Sequence, residues 1–419
     1  MYDQSFCHRS LDKEIRKSDF RRIPKSDQNT FRETLLAEAV AAASNSFGTP
    51  ANPLHSFPLK RKEIYGFAQL SHDLVSRKLC SNLKRILPPA LIGRSQIISN
   101  LQLLLEEGVP YRVYRLDVKN FYESFNQNQL LREIKELQRL SPRSKSLISS
   151  LMENYISIGG VGVPRGLALS AALSDFMMRH FDSSIRGFSD VYYYARYVDD
   201  IIVVTSAREK SKHLLREVEK NLPTGLVLNN KKKKLVEVTT KVAPEKNQLL
   251  QRFAFEYLGY SFKVHEPIQI KNKASDSHFR GVTLDIAETK IEKIKTRITR
   301  SFLDYSKNKD WPLLADRIKF LTQNFSVYNQ KVGGKKLAGI FHSYPQITND
   351  ATALIELDRF LRYAVLSNKG RVFSQSHALL SDKQKRSILG QSFVRGHSKR
   401  SFVYFSALRI SEIQKCWSY

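Results

Sequence analysis

Carboxylates are scarce in this chain: 40 Asp+Glu stand against 68 Lys+Arg, a formal net charge of +28 over 419 residues. Such an excess excludes a polycationic partner and points to a polyanion, with nucleic acid ahead of anionic lipid because the basic residues recur along the whole length. Cysteine is scarcer still. Cys7, Cys80 and Cys416 form no Cys-x-x-Cys pair, which supports neither a disulfide framework nor a structural zinc site. No stretch approaches the ~18 apolar residues of a membrane span, and the opening MYDQSFCHRSLDKEIRK has no apolar signal core. A cytoplasmic protein with no membrane partner is expected.

A hydrophobic fraction of 42% suffices for ordinary cores, and the length allows two or three structural units. The first ~110 residues read as mostly helical, with Thr30-Phe-Arg-Glu33 as a capping box opening LLAEAVAAA. The basic, proline-bearing stretch from Pro50 to Lys62 reads as a loop, and two helix-like segments follow. In the middle, YRVYRLDV alternates as a strand and residues 127–139 read as a helix. The turn IGGVGVPRG leads into a helix near 167–183. VYYYARY and IIVVT then flank Val198-Asp199-Asp200 as a hairpin, and Ser206-x-x-Glu209 is expected to cap a helix running to about Asn221. Strand, helix, hairpin, helix, strand is the order of an α+β domain of the split βαβ kind. Beyond about residue 265 the pattern predicts helices, notably DIAETKIEKIKTRITRSFLDY and DATALIELDRFLRYAVL.

Asp117 closes the alternating strand, and Asp199 follows 82 positions later at the hairpin turn beside Asp200. A hairpin turn can lie next to the end of a neighbouring strand, so these carboxylates could converge and share two Mg²⁺ ions. Mg²⁺ favours one or two carboxylates with phosphate oxygens. A pair ~3.5–4 Å apart clamps both the attacking and the leaving oxygen of a phosphoryl transfer. Taken singly, each aspartate reads equally well as a turn or strand-end residue.

The blocks LDVKNFYESF, GVPRGLALS, RYVDDIIVV and FEYLGYSF, in this order across residues 114–262, resemble those of reverse transcriptases. The resemblance implies an RNA-directed DNA polymerase with a right-hand fold. Residues 1–44 would form an N-terminal helical arm, 45–110 the fingers, 111–264 the palm with part of the fingers, and 265–419 a helical thumb with a basic C-terminal region. By position it implies Asp117, Asp199 and Asp200 as catalytic residues, binding two Mg²⁺, with Mn²⁺ as a substitute ion and the Val118 carbonyl completing a metal shell. Tyr122, five residues after the first aspartate, would bar a 2′-hydroxyl and select deoxynucleotides. Phe121, Arg165, Gly166 and Lys232 are expected at the nucleotide, with Arg165 standing where the family usually has Gln. Leu258 and Gly259 match a primer grip. Lys60, Arg61, Lys62, Lys78, Arg94, Arg395, Lys399 and Arg400 are candidates for nucleic-acid contacts, each phosphate neutralised making binding salt-dependent.

Marks of other branches are missing: there is no Val-Thr-Gly after the core, no His/Cys cluster of an endonuclease region and no acidic ribonuclease H domain. What remains resembles the stand-alone bacterial group associated with abortive infection and antiphage defence. RIKFLTQNFSV and KLAGIFHSYP are similar to the helical region of some of its members. The resemblance implies a noncoding RNA as template or scaffold, deoxynucleoside triphosphates as substrates, a DNA product, and a second polymerase or a further copy of the chain as partner. Two alternatives are a template-independent or protein-primed DNA polymerase on the same fold, and a non-catalytic RNA-binding scaffold.

Overall fold

The computed structural model describes residues 2–20, 23–47, 53–59, 62–87, 92–230, 234–238, 251–272, 275–329 and 334–417. Two compact units emerge, Met1–Gly93 with Pro110–Thr239, and Arg94–Val109 with Thr240–Tyr419. Both mix helix and sheet, so the fold class is α+β. The segment 94–109, expected with the fingers, groups with the C-terminal half.

After the short helix His8–Asp12, the first long helix of this unit is Gln28–Ser44. It begins two residues before Thr30, so the expected capping box lies inside the helix, and Thr34 Oγ1 bonds back to the Thr30 carbonyl instead. The expected loop at Pro50–Lys62 corresponds, where it is described, to an antiparallel hairpin of β1 (Leu54–Leu59) and β2 (Lys62–Phe67). Pro58 fits because both strands of a two-stranded sheet are edges, where no ladder donor is missed. Helix Leu70–Ile86 is buried nearly all round, as a central helix must be, and packs on helices Gln28–Ser44, Pro142–Ser157 and Ala168–Arg186.

The sheet of this unit contains β3 (Tyr111–Asp117), β4 (Val191–Tyr197), β5 (Asp200–Thr205) and β6 (Lys234–Val238), in the order β4-β5-β3-β6 and antiparallel throughout. The central β5 is apolar and buried from Ile201 to Val204, as a strand covered on both faces requires. Asn126 caps helix Gln127–Glu136 through its side chain. Helix Ser211–Asn221 lacks the expected cap. Ser206 Oγ bonds Asp190 instead, and Glu209 accepts from Arg112 Nη1 at 3.1 Å and from the Tyr114 hydroxyl at 2.5 Å.

The second unit departs from the helical expectation. β7 (Gln251–Tyr257), β8 (Tyr260–Asn272) and β9 (Ser275–Ile286) form an antiparallel sheet, so strands run well past residue 265. Fully buried Arg280 on β9 donates to the carbonyls of Glu107 and Val109, which ties the 94–109 segment to this unit. Helices Glu288–Asn308 and Ala353–Leu366 form where the 3.6-residue pattern predicts them and pack together. Asp285 on β9 caps the second, accepting from the Ala353 amide at 3.1 Å. RIKFLTQNFSV is not helical throughout: it passes from helix Trp311–Thr322 into β10 (Asn324–Asn329). KLAG lies in β11 (Gly334–Gly339), the partner of β10. The basic C-terminal stretch is ordered into helices Asp382–Leu389, Phe393–Ser398 and Ala407–Lys415. Among the described residues no helix is long and apolar enough to cross a membrane.

Candidate active site

Asp117 ends β3 and is the direct register partner of Asp200, the first residue of β5. Directly opposed residues of an antiparallel pair have Cα atoms ~4.5–5.5 Å apart. The Val118 amide donates to the Asp199 carbonyl at 3.1 Å, so all three aspartates converge at one end of the sheet. Asn229 closes the other side: its amide donates to the Asp117 carbonyl at 2.7 Å and its side-chain Nδ2 to Asp117 Oδ2 at 3.0 Å. The Asp117 side chain is buried, and a carboxylate there needs such a donor to offset its desolvation. Asn229 has no role in the sequence-based expectation, which falls on Lys232 instead, because its partner Asp117 lies 112 positions earlier.

The turn that carries Asp199 is two residues long, since Tyr197 pairs with Asp200. Val198 has φ +61°, a left-handed backbone that a β-branched side chain resists. A buried arginine holds it there. Arg196, fully buried on β4, donates from Nη1 to the Val198 carbonyl at 3.0 Å, from Nε to Asp182 Oδ1 at 2.8 Å and from Nη2 to Asp182 Oδ2 at 2.8 Å. Its Nη2 also reaches Asp175 at 3.2 Å. Burial alone would strip this guanidinium of its proton more easily, but the bonds and charge of Asp182 outweigh it and raise the pKa above its ordinary value. Arg196 opens the block RYVDDIIVV without a role being expected of it, and Asp182 lies outside the four blocks. The signal was a lone arginine within the β-rich run VYYYARY and an aspartate on the buried face of an apolar helix.

Tyr122 is half-buried, with its ring 4.9 Å from the Arg165 guanidinium. Burial, with the charges of Asp175 and Asp199, pushes its phenol above the usual pKa. Arg165 forms a two-point pair with Glu123, at 2.9 and 3.1 Å, and Lys62 Nζ lies 3.9 Å from the same carboxylate. Burial would raise the Glu123 carboxyl, but Arg165 overcomes that and holds it below its ordinary value. Arg165 thus contacts both the Tyr122 ring and the Glu123 side chain.

Several residues expected at nucleotide or nucleic acid have partners within the protein. Gly166, expected to let a ligand approach, has φ +113°, and a Cβ there would lie 2.7 Å from the Tyr65 carbonyl oxygen. The close approach is made by β2, whose Tyr65 amide bonds the Arg165 carbonyl at 2.7 Å. Phe121, also expected at the nucleotide, is buried in the core against Phe125 and Tyr122. Lys78 is buried and donates to the Asp3 carbonyl at 2.8 Å, strapping the N-terminal arm to its helix rather than meeting phosphate. In the second unit, Arg94 donates to the carbonyls of Leu258 and Ser343, each at 2.8 Å, and lies over the Tyr260 ring. It therefore supports the Leu258–Gly259 turn that joins β7 to β8. Arg395, Lys399 and Arg400 are exposed, the last over Phe341 at 4.2 Å. Lys60, Arg61 and Lys232 lie outside the described residues.

Carboxylate oxygens are the hard donors that Mg²⁺ takes. Among the described residues, the group of three carboxylates close enough to form a closed cage is Glu288, Glu292 and Glu356, and Lys295 bridges two of its members. The three aspartates are not in that group; Asp117 is buried and Asp199 and Asp200 are half-buried. One strand end and one hairpin turn thus deliver carboxylates to the same end of the sheet, in a chain of charge +28. Residues 76–262 match the family described as reverse transcriptase (RNA-dependent DNA polymerase). This domain implies the polymerase fold, and the enzyme it indicates is an RNA-directed DNA polymerase, a nucleotidyltransferase. Its template is RNA, its substrates deoxynucleoside triphosphates and its product DNA. No curated protein matches the chain.

Proposed function

We propose that Asp117, Asp199 and Asp200 hold two Mg²⁺ ions and form the catalytic centre of a right-hand polymerase that extends a primer by copying RNA. The observation that carries this reading is the register pairing of Asp117 with Asp200, with Asp199 bonded to Val118 through its carbonyl. When bound, the ions would activate the primer 3′-oxygen and neutralise charge on the leaving pyrophosphate. The protein's own part is positioning. Asn229 fixes the Asp117 carboxylate, Arg196 fixes the turn that carries Asp199, and the Arg165–Glu123 pair holds Tyr122 as a wall against a ribose 2′-hydroxyl.

Leu258 and Gly259 would steady the primer, and the helices beyond residue 286 would act as the thumb. The resemblance to stand-alone bacterial defence enzymes supports a noncoding RNA as the natural template and antiphage defence as the setting. Primer extension tests the catalytic reading. Mg²⁺-dependent deoxynucleotide incorporation on an RNA template should vanish on ribonuclease treatment and in Asp199→Asn. Product that survives ribonuclease would instead establish untemplated synthesis. Tyr122→Ala should raise ribonucleotide use, and an unchanged deoxy/ribo ratio would remove the gate from Tyr122.

A further inference from the structure

Between Asp382 and Glu412 the chain carries no carboxylate side chain, while Lys383, Lys385, Arg386, Arg395, Lys399, Arg400 and Arg409 are all cationic. Within this stretch, residues 401–405 run as an edge segment beside β10. Fully buried Asn324 anchors it. The Asn324 amide donates to the Ser401 carbonyl at 2.9 Å and its side chain donates to the same carbonyl at 3.1 Å. The Asn324 carbonyl accepts from the Val403 amide at 2.8 Å. Side chains of an extended segment alternate between faces. Accordingly, Val403 and Phe405 enter the core of the second unit, while Phe402 is 52% and Tyr404 75% exposed.

Two aromatic rings two residues apart therefore point outward from a backbone held rigid by a buried asparagine. Exposed Lys399 and Arg400 stand immediately before them. We propose that Phe402 and Tyr404 form a stacking platform for single-stranded RNA, with Lys399 and its neighbouring cations meeting the phosphates. Flat rings accept the π-faces of successive bases without sequence choice, and cations track the backbone. From Lys383 to Arg400 the stretch holds cations and no carboxylate, which favours a polyanion over a protein partner, whose surface would carry both signs; Arg409 is engaged by Asp316 and Glu412. This proposal rests on the RNA-directed reading above. It assigns to the C-terminal segment a contact with bases as well as with phosphate.

The test uses the full chain, with EDTA present and no nucleotide, so that its outcome does not depend on polymerase activity. Binding of a labelled, unpaired oligoribonucleotide of about twelve nucleotides is measured against salt and compared with an abasic ribose-phosphate strand of equal length. Phe402→Leu with Tyr404→Leu should weaken binding of the base-bearing strand by about tenfold per ring. The slope of log affinity against log salt and the binding of the abasic strand should stay unchanged. Lys399→Gln should do the converse, lowering the slope by roughly 0.7 for one phosphate contact on a single strand. Both ring side chains face outward, so the unfolding midpoint should not move. Unchanged affinity in the double variant, an equal loss on the abasic strand, or tighter binding of the matching DNA strand than of RNA would each overturn the proposal.

Discussion

Two hairpin turns, one in each unit, solve the same problem in different ways. Val198-Asp199 joins β4 to β5, and Leu258-Gly259 joins β7 to β8. Each begins with a non-glycine residue in left-handed backbone, Val198 at φ +61° and Leu258 at φ +47°, a placement that costs ~1–2 kcal/mol. In each, an arginine donates to that residue's carbonyl, Arg196 at 3.0 Å and Arg94 at 2.8 Å. The Leu258 turn has glycine second, at φ +83°, so both central residues are left-handed in the usual manner of a tight hairpin, and half-buried Arg94 faces carbonyls and rings. The Val198 turn has an aspartate where the other has glycine. It is held by a guanidinium that is fully buried and locked by the Asp182 carboxylate. A turn that must present a carboxylate gives up glycine's freedom, and an ion pair beneath it supplies the missing rigidity.

Breaking the stronger device should have the larger effect. Arg196→Met leaves the buried Asp182 carboxylate without its charge partner, the Tyr194 hydroxyl still donating to it, and such a loss destabilises by ~3–5 kcal/mol. Urea unfolding should show it, with activity falling in parallel. Arg196→Lys keeps the charge but cannot make the three-way contact. Here kcat should drop about tenfold or more with little change in nucleotide KM, and adding Val198→Gly, which relaxes the left-handed residue, should recover most of it. Failure of the glycine to rescue would show that Arg196 acts only through general stability. The weaker device gives smaller changes: Arg94→Lys and Gly259→Ala should each cost ~1 kcal/mol in unfolding measurements. Smallest is Glu123→Gln. Because Arg165 holds the Glu123 carboxyl below its ordinary value of 4.5, its stabilisation is present above that pH and is lost as pH falls through the lowered value. The variant should therefore differ little from the parent in acid and be slightly less stable at neutral pH. A difference that grows as pH falls would contradict the pairing.

What was readable in the sequence follows the range of the interaction that determines it. The hairpin and the glycine-rich turn are local patterns that residues 114–205 reveal through alternation and turn chemistry, and the aspartates stand out through the family resemblance those blocks carry. Partners distant in sequence were not readable. Lys78 looked like a surface cation because its partner, the Asp3 carbonyl, lies 75 positions earlier. Arg94 looked similar, with its two carbonyls 164 and 249 positions away. Thr30-x-x-Glu33 and Ser206-x-x-Glu209 carry the capping pattern without capping. In the second case Glu209 is drawn away by Arg112 and Tyr114, which no local rule brings near. The strands beyond residue 265 were hidden in polar, basic sequence, and β10 lies in a stretch that reads equally well as the end of a helix.

The most direct test of the carboxylate centre replaces its most firmly held member. Asp117→Asn keeps the shape and the surrounding packing while removing a ligand charge. RNA-templated deoxynucleotide incorporation should fall by about a thousandfold or more, as expected when several kcal/mol of transition-state stabilisation are lost. RNA binding and the unfolding midpoint should change little. Incorporation that stays within tenfold of the parent enzyme would contradict the assignment of the centre to Asp117, Asp199 and Asp200.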